Sequence, residues 1–161
     1  MIDIAKIIKE LDVLPEYKRG HLPFGAGGPA GSLQMCVQGT EEDRDPYSGC
    51  NRGRNLLFKE EEYIVPLFDI PYTNSIIKEL NMYRTRVIVM FALQCYSFHK
   101  DPTKRIHIPL VSNKNSFLIV DKELIQLPAD GNYYLIDTTQ SHTAFNADSY
   151  EKRIHMIGSV N

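Results

Sequence analysis

The residues that could do chemistry are concentrated in the second half of this sequence, where histidine and aspartate recur at short spacing. His99 and Asp101 are separated by one residue, so in an extended strand both side chains lie on the same face. Pro102 favours an extended backbone at Asp101, which suits that arrangement. His142 stands at the start of a separate predicted strand. Two histidines and one carboxylate form the facial ligand set of non-haem Fe(II) oxygenases, which leaves positions open on the metal.

The tetrapeptide Lys-Arg-Ile-His occurs twice in the same half of the chain. In strands, Arg105 shares a face with His107, and Arg153 shares a face with His155. If those faces line the metal pocket, they suit a small dicarboxylate, because guanidinium binds carboxylate through two parallel hydrogen bonds. Such a ligand would also supply the anion that a buried arginine needs. The apolar residues expected on the opposite face are Ile106, Ile108, Ile154 and Met156.

Each of these features has a simpler interpretation when it is taken alone. A His-x-Asp pair is common in surface turns, an Arg-x-His pair on an edge strand usually faces solvent, and His142 could be a hydrogen-bonded core residue. Their order favours the joint interpretation: His-x-Asp, Arg-x-His, a turn, a histidine, then an arginine eleven positions later. Four of the five histidines lie in the two stretches that carry these motifs, 99–107 and 142–155, and His21 is the exception.

The composition limits the classes of protein to which this chain can belong. With 43% hydrophobic and 24% charged residues, it has the composition of ordinary soluble globular proteins. A net charge of −2 gives no support for nucleic-acid binding, and no apolar run reaches the length of a membrane span. Charged residues interrupt the N-terminal stretch where a signal peptide would need an apolar region. The three cysteines include no Cys-x-x-Cys pair, which indicates neither a disulfide framework nor a zinc finger, so we expect a cytoplasmic protein.

The first eighty residues predict helices and long loops more than strands. Isoleucine and leucine recur at helical spacing near the N-terminus, and two stretches rich in glycine and polar residues follow. The predicted elements are a helix over 2–13, loops over 21–32 and 39–55, a strand over 60–69, and a helix over 73–83 capped by Thr73 or Asn74.

From residue 84 onward the sequence predicts many short β-strands. Segments rich in β-branched and aromatic residues alternate with proline, glycine, asparagine and aspartate. Asp130-Gly131 predicts a hairpin turn. This pattern predicts a mainly β fold, a sandwich or jelly roll with a few flanking helices. We therefore expect one domain over residues 1–161, in which 84–161 form the core and 1–83 flank it.

Residues 84–160 resemble the aspartyl/asparaginyl β-hydroxylase-like branch of the Fe(II)/2-oxoglutarate-dependent oxygenases. The resemblance is carried by the segments FHKDPTKRIHIPLVSN, YYLIDTTQSHTAFN and KRIHMIGSV. It covers roughly the C-terminal half of the chain. It implies a double-stranded β-helix core of the jelly-roll or cupin-like type, which agrees with the strand pattern.

The resemblance also implies roles for the residues at matching positions. Arg153, on the last core strand, would bind the distal carboxylate of 2-oxoglutarate. Arg105 and His107 would lie near the carboxylate that chelates the metal. Asn113 and Asn146 would shape loops. The implied Fe(II) ligands are His99, Asp101 and His142.

Two departures from the family pattern bear on these roles. Animal aspartyl hydroxylases of this type carry a glycine at the position of Asp101, so this sequence has the complete triad of the wider superfamily. Asp101 also argues against a halogenase, which needs that coordination position free for halide. The interval from His142 to Arg153 is one residue longer than in those hydroxylases, which leaves Lys152 as an alternative partner for the carboxylate.

The resemblance implies an Fe(II)- and 2-oxoglutarate-dependent dioxygenase that uses O2 and releases succinate and CO2. It would hydroxylate an amino-acid residue or a small amino-acid-like substrate, with neither nucleic acid nor membrane as a partner. The arginines that could hold an acidic small-molecule, peptide or protein substrate are Arg52, Arg54, Arg84 and Arg86. Two other classes stay open: a cupin-like metalloenzyme that does not use 2-oxoglutarate, and a non-enzymatic jelly-roll binding module. The sequence fixes neither the substrate nor the oligomeric state.

Overall fold

Antiparallel strands form the framework of the protein, whose structure is a computed structural model describing residues 1–18, 33–50 and 56–161. The loop predicted over 21–32 lies outside these residues, as does the end of the loop predicted over 39–55. The strands are β1 (Leu33–Cys36), β2 (Gln38–Gly39), β3 (Val65–Pro66), β4 (Tyr83–Met90), β5 (Gln94–Cys95), β6 (Lys104–Val111), β7 (Ser116–Val120), β8 (Glu123–Ile125), β9 (Tyr134–Ile136), β10 (His142–Asn146) and β11 (Arg153–Val160).

Most of these strands form two antiparallel sheets. The order in the five-stranded sheet is β1-β4-β11-β6-β9, and the order in the four-stranded sheet is β5-β10-β7-β8. Strands β2 and β3 make a separate two-stranded sheet. Neighbours are often distant in sequence: β11 lies between β4 and β6, which is typical of jelly rolls. The prediction of a mainly β fold with a double-stranded β-helix core is confirmed.

A few helices flank these sheets. The α-helices are α1 (Ile4–Leu11), α2 (Pro15–Lys18) and α3 (Pro71–Glu79), and single 3-10 turns span Ser48–Cys50 and Glu60–Glu62. The predicted N-terminal helix is confirmed as α1, whose N-cap Asp3 accepts a hydrogen bond from the Lys6 amide at 3.0 Å. Within the described part of the chain, no helix combines the length and apolar character that crossing a bilayer requires.

The central strands of the five-stranded sheet have one apolar face and one polar face. Ile7 and Leu11 of α1 pack in the core beneath the apolar face. Arg105, His107 and Arg153 alternate with the apolar residues and line a cavity on the other side. The four apolar residues predicted to face the core are all buried in it: Ile106, Ile108, Ile154 and Met156.

A bulge near the start of β4 accompanies an unusual backbone conformation at Arg84. The register between β4 and β11 shifts there, so that Arg84 and Thr85 together oppose Gly158. Arg84 has a φ of +48°, which is unfavourable for a residue with a Cβ. Its side chain is nevertheless 3% exposed and points into the interior. A Cβ at Gly158 would lie 2.8 Å from Met82 Cβ and 2.9 Å from Thr85 Oγ1, so glycine is required where β11 passes these residues.

The predicted hairpin at Asp130-Gly131 is wrong. Gly131 does adopt a positive φ of +85°, as a turn requires. However, β8 before the turn pairs with β7, whereas β9 after it pairs with β6 in the other sheet. The turn is instead held by the N-terminus, because the Ile2 amide donates to the Gly131 carbonyl at 2.8 Å. A turn signal identifies the change of direction but not the partner of the strand that follows it.

Two predictions in residues 60–83 also need correction. The strand predicted over 60–69 is reduced to the two residues of β3, preceded by the 3-10 turn Glu60–Glu62. Helix α3 begins earlier than predicted, with Ile70 as N-cap and Pro71 in the first turn. Proline suits that position because its missing N–H would have no helical partner. Neither predicted cap is therefore a cap, and Thr73 instead bonds to the Glu10 carboxylate at 2.8 Å.

Candidate metal centre

Three side chains that could bind a metal ion come together at the mouth of the cavity. The ligand atoms of His99, Asp101 and His142 all lie within 4.8 Å of one another. His142 Nε2 is 3.8 Å from Asp101 Oδ2, and the two imidazole rings have centroids 4.2 Å apart. His99 is exposed, Asp101 is half-buried and His142 is buried. The structure thus brings together the predicted ligand set, whose binding of a metal ion stays a prediction.

Backbone hydrogen bonds position these three side chains. The amide of His99 donates to the carbonyl of His142 at 3.0 Å, and the reverse bond is 2.9 Å long. This antiparallel bridge sets the two rings side by side. The Asp101 amide donates to the Thr138 carbonyl at 2.8 Å, which fixes the turn that carries the carboxylate. The metal-binding arrangement is therefore built on paired backbone at the edge of the β framework.

Hydrogen bonds to backbone carbonyls decide which ring nitrogen of each histidine is free. His99 Nδ1 lies 2.8 Å from the Ser97 carbonyl oxygen, and His142 Nδ1 lies 3.0 Å from that of Gln140. A carbonyl only accepts, so each Nδ1 donates its proton, which leaves Nε2 with a lone pair. Burial lowers the pKa of His142 despite the opposing bond to Gln140, so the ring is neutral, as a metal ligand must be. This donor set fits a divalent cation such as Fe(II).

Arg105 stands directly behind the Asp101 carboxylate. Its Nε is 3.2 Å from Asp101 Oδ2, an ion pair in which the N–H does not point at the oxygen. Its Nη2 donates to Glu60 Oε1 at 2.8 Å, and its Nη1 donates to Ser159 Oγ at 2.6 Å and to Thr103 Oγ1. Much of this guanidinium is therefore engaged by the protein itself. The predicted contact between Arg105 and 2-oxoglutarate stays a prediction, whereas its contact with a candidate metal ligand is direct.

A buried carboxylate, Glu60, joins Arg105 to Arg84. Glu60 is 7% exposed and accepts hydrogen bonds from both guanidinium groups. Arg84 Nε also donates to the Gly49 carbonyl at 2.9 Å. Burial alone would raise the pKa of Glu60, but Arg105 and Arg84 hold it below its usual value, so the carboxylate is charged. Sequence reasoning missed Glu60, although Arg105, expected on a strand face that lines the pocket, signals the need for an acidic partner.

The candidate ligands open onto a cavity of about 960 Å³. That volume is in the range of pockets that bind small molecules. Its wall combines charged groups with apolar surface, and Tyr96, Gln34 and Cys50 also contribute to it although the sequence did not single them out. The apolar part of the wall includes Ile88, Leu118 and Ala144, and the cationic part includes Arg86, Arg105 and Arg153.

Arg153 is a buried cation in this wall, 3% exposed. Its Nε and Nη2 lie 3.0 and 2.9 Å from the two ring nitrogens of His155, and Nη1 lies 3.9 Å from Met90 Sδ. Within residues 1–18, 33–50 and 56–161, no carboxylate lies within ion-pair distance of it. Burial lowers its pKa to about 10, so the guanidinium is charged at neutral pH. Lys152, the alternative carboxylate partner, is exposed and is not part of the wall.

Two buried imidazoles, His107 and His155, lie next to Arg153. Their Nδ1 atoms are 3.3 Å apart, and His107 also lines the cavity. Burial, reinforced by the neighbouring Arg153 guanidinium, lowers the pKa of both rings well below the usual histidine value. Both are therefore neutral at physiological pH. The Lys-Arg-Ile-His repeat thus places Arg105 beside a candidate metal ligand, and His107, Arg153 and His155 together in the interior.

The arginines predicted to hold a substrate fall into three situations. Arg52 and Arg54 lie outside the described residues. Arg84 lines the cavity but is bound to Glu60. Arg86 lines the cavity, donates to Gln34 Oε1 at 3.3 Å, and has a buried Nε with no hydrogen-bond partner among the described residues. A role of these residues in substrate binding stays a prediction.

The asparagines expected to shape loops are linked to each other. Asn113 Nδ2 donates to Asn146 Oδ1 at 3.1 Å, and Ser116 Oγ donates to the same oxygen at 3.0 Å. Asn146 Nδ2 donates to the Glu151 carbonyl at 2.7 Å and to the Phe91 carbonyl at 3.1 Å. The Asn146 side chain therefore ties together the ends of strands from both sheets, close to the start of β11 and hence to Arg153.

Comparison with known proteins places these features in context. Residues 56–161 match the family model described as aspartyl/asparaginyl beta-hydroxylase. No curated protein matches the chain significantly. Solved structures that are similar include a conserved protein of unknown function from Streptococcus pyogenes (13% identity, TM-score 0.39, 48% of this chain and 63% of that one). Others are DMSP lyase DddQ from Ruegeria pomeroyi (15%, 0.40, 48% and 37%) and a cupin superfamily protein from Desulfitobacterium hafniense (9%, 0.37, 48% and 66%). The chain spans less than two thirds of the first two structures.

Proposed function

The chain belongs to the aspartyl/asparaginyl β-hydroxylase family, and from this premise we propose that it is an Fe(II)- and 2-oxoglutarate-dependent dioxygenase. The proposed reaction hydroxylates an amino-acid residue or a small amino-acid-like substrate and releases succinate and CO2. The observation that carries the proposal is the cavity that contains both the His99, Asp101 and His142 cluster and the buried Arg153, which has no acidic partner among the described residues.

The metal ion would be held by Nε2 of the two histidines and a carboxylate oxygen of Asp101. When bound, Fe(II) supplies the activation of dioxygen and the oxidation of an unreactive C–H bond. The protein contributes the position and charge of the ligands. The Nδ1–H groups of His99 and His142 are held by backbone carbonyls, and Arg105 faces the Asp101 carboxylate, so ligand orientation is set in advance.

The proposed site for 2-oxoglutarate lies between this ligand cluster and Arg153. A dicarboxylate has one end that can chelate a metal and another that can pair with a guanidinium. Binding of the distal carboxylate at Arg153 would supply an anion that the described residues do not provide, so burial of Arg153 favours an anionic ligand. His155 contacts the same guanidinium and would hold its orientation, while remaining neutral itself.

Apolar wall residues would exclude water from the reacting groups. Ile88, Leu118 and Ala144 line the cavity between the two sheets. Arg86, whose Nε has no hydrogen-bond partner among the described residues, is the proposed contact for a carboxylate of the prime substrate. The exposed His99 places the candidate metal site at the open end of the cavity, where a side chain of a larger substrate could enter.

An anaerobic titration tests this proposal. Metal-free protein is mixed with Fe(II), 2-oxoglutarate is added, and the visible charge-transfer absorption is followed in wild type, in Arg153→Ala and in Lys152→Ala. Loss of one charged hydrogen-bonding partner should weaken 2-oxoglutarate binding by about ten- to a hundred-fold in Arg153→Ala. The neighbouring exposed Lys152→Ala should bind like wild type. Equal binding in Arg153→Ala contradicts the proposed site, and bound iron without absorption on adding 2-oxoglutarate favours a metalloenzyme that does not use it.

A further inference from the structure

Two cysteines, Cys36 and Cys50, lie against each other beside the cavity. Their sulfur atoms are 3.7 Å apart, and the side chains are 0% and 3% exposed. Cys36 ends β1, and Cys50 ends the 3-10 turn Ser48–Cys50. The two backbones are anchored next to each other, since the Cys36 amide donates to the Pro46 carbonyl at 2.7 Å and the Cys50 amide donates to Tyr47 at 3.0 Å. The proposed catalytic chemistry uses neither thiol.

We propose that Cys36 and Cys50 form a reversible dithiol–disulfide couple that senses peroxide and acts on the metal site. The sulfurs need to approach by only about 1.7 Å to reach the length of a disulfide bond. Cys50 lines the cavity, which gives a small oxidant a route to an otherwise buried thiol. In a reducing compartment such a disulfide would be transient, which is the behaviour of a sensor.

The surroundings make Cys50 the attacking thiol. Cys50 lines the cavity, whereas Cys36 is fully buried and is not part of the cavity wall. The contact between the two thiols lowers the pKa of Cys50 against the effect of burial, and the guanidinium groups of Arg86 and Arg84 act in the same direction. The same interaction and burial raise the pKa of Cys36, which therefore keeps its proton until the second step. This asymmetry resembles that of a nucleophile paired with a resolving thiol.

The oxidation balances with hydrogen peroxide as the oxidant. The Cys50 sulfur attacks one peroxide oxygen, the O–O bond breaks, and the products are a sulfenic acid and one water molecule. The Cys36 sulfur then attacks Cys50 Sγ, its S–H proton leaves with the hydroxyl as a second water, and the S–S bond forms. The two thiols lose two electrons and two protons, and peroxide is reduced to two water molecules. Thiol–disulfide exchange with a small dithiol reverses the reaction.

Contacts lead from this pair to the metal ligands. Arg84 Nε donates to the carbonyl of Gly49, the residue next to Cys50, at 2.9 Å. Arg84 is bound to Glu60, Glu60 to Arg105, and Arg105 faces Asp101. Gly49 is packed so tightly that a Cβ would lie 2.7 Å from Cys36 Sγ. In this proposal, closing the disulfide draws Cys50 toward Cys36 and shifts the adjoining Gly49 carbonyl, which accepts the hydrogen bond from Arg84. This link to the metal site rests on the proposed function.

The first experiment measures the state of the thiols. Cys95, the exposed third cysteine, is removed by Cys95→Ser. The protein is exposed to hydrogen peroxide, denatured in an alkylating agent and weighed intact. We expect the mass to fall by two hydrogen atoms with no alkylation, and dithiothreitol to restore two alkylated thiols. The matched variant Cys36→Ser/Cys95→Ser should instead gain oxygen on Cys50 and form no internal disulfide. If both thiols stay free at a peroxide dose that oxidises Cys95 in wild type, the proposed dithiol–disulfide couple is wrong.

The second experiment measures Mn(II) affinity of the reduced and oxidised protein after peroxide has been removed. We expect the disulfide form of Cys95→Ser to bind Mn(II) about ten-fold more weakly, a size typical of disturbed outer-shell contacts. Peroxide treatment of Cys36→Ser/Cys95→Ser should change the affinity far less. Equal affinities of the two redox forms overturn the link to the metal site. Reduced protein that binds no Mn(II) contradicts the metal centre itself, which distinguishes failure of the proposed function from failure of the redox couple.

Discussion

Replacing Glu60 by glutamine tests the ion-pair network that contacts Asp101, a candidate metal ligand. The carboxylate is 7% exposed and is shared by Arg84 and Arg105, which are 3% and 2% exposed. The substitution keeps the shape of the side chain but leaves two buried guanidinium groups around a neutral amide. Removing one partner from a buried ion pair typically costs about 3–5 kcal/mol. Since domains are usually stable by about 5–15 kcal/mol, Glu60→Gln should lose a large fraction of the free energy of unfolding.

Urea unfolding followed by circular dichroism measures this loss. With a slope of about 2 kcal/mol per molar urea, the midpoint should fall by roughly 2 M. The matched control is Glu61→Gln, an exposed neighbour in the same 3-10 turn, which should stay within about 0.5 kcal/mol of wild type. If Glu60→Gln has the same urea midpoint as Glu61→Gln, the Glu60 carboxylate does not neutralise two buried cations as argued.

The same variant should also weaken metal binding. Without the Glu60 carboxylate, Arg105 keeps only its bonds to Ser159 and Thr103, so its position beside Asp101 is less well fixed. Disturbing such an outer-shell contact usually costs about ten- to a hundred-fold in metal affinity. Mn(II) affinity is measured without urea and at a temperature well below unfolding, which separates this effect from the loss of global stability. An unchanged affinity in folded Glu60→Gln would show that the network stabilises the fold without orienting the ligand.

Three further predictions concern the buried polar groups and the strand contact at Gly158. Because the pKa values of His107 and His155 are lowered by burial, only the unfolded state takes up protons below the ordinary histidine pKa. Stability should therefore fall by about 2–3 kcal/mol between about pH 7.5 and 5.5, and a flat profile of urea midpoints would contradict buried neutral rings. Gly158→Ala forces a Cβ against Met82 and should cost about 1–3 kcal/mol in the same assay; an unchanged midpoint would contradict the close approach of Met82 to Gly158. Asn146→Ala removes several buried hydrogen bonds and should cost about 2–3 kcal/mol by thermal or urea unfolding, whereas a loss below about 0.5 kcal/mol would indicate that water replaces the amide.

The candidate metal ligands and the Arg-x-His pairs can be predicted from sequence because residues two apart in a strand share a face. His99 and Asp101 are two residues apart, and the alternation that buries Ile106 and Ile108 also turns Arg105 and His107 toward the cavity. Residue type restricts the candidates further, since histidine and carboxylate are the usual ligands of non-haem Fe(II). For these residues, the alternation of side chains along a strand determines both the sequence pattern and the face of the sheet on which each side chain lies.

The residues that sequence reasoning missed are those brought in by tertiary contacts between distant segments. Glu60 sits in a run of three glutamates that looks solvated, and only the 3-10 turn and the bulge at Arg84 bring it inside. Cys50 and Tyr96 likewise line the cavity because distant segments pack together, and the local sequence does not show that packing. The hairpin prediction at Gly131 fails for the same reason, because local turn chemistry does not determine which strands pair.

The most direct test of the central claim is a crystal structure of the protein grown anaerobically with Fe(II) and 2-oxoglutarate, with diffraction collected at the iron absorption edge. The proposed function predicts an anomalous peak between the Nε2 atoms of His99 and His142 and the Asp101 carboxylate. It also predicts 2-oxoglutarate with its distal carboxylate against Arg153. Iron bound elsewhere, or iron at this cluster with the dicarboxylate absent and Arg153 unpaired at saturating 2-oxoglutarate, would contradict it.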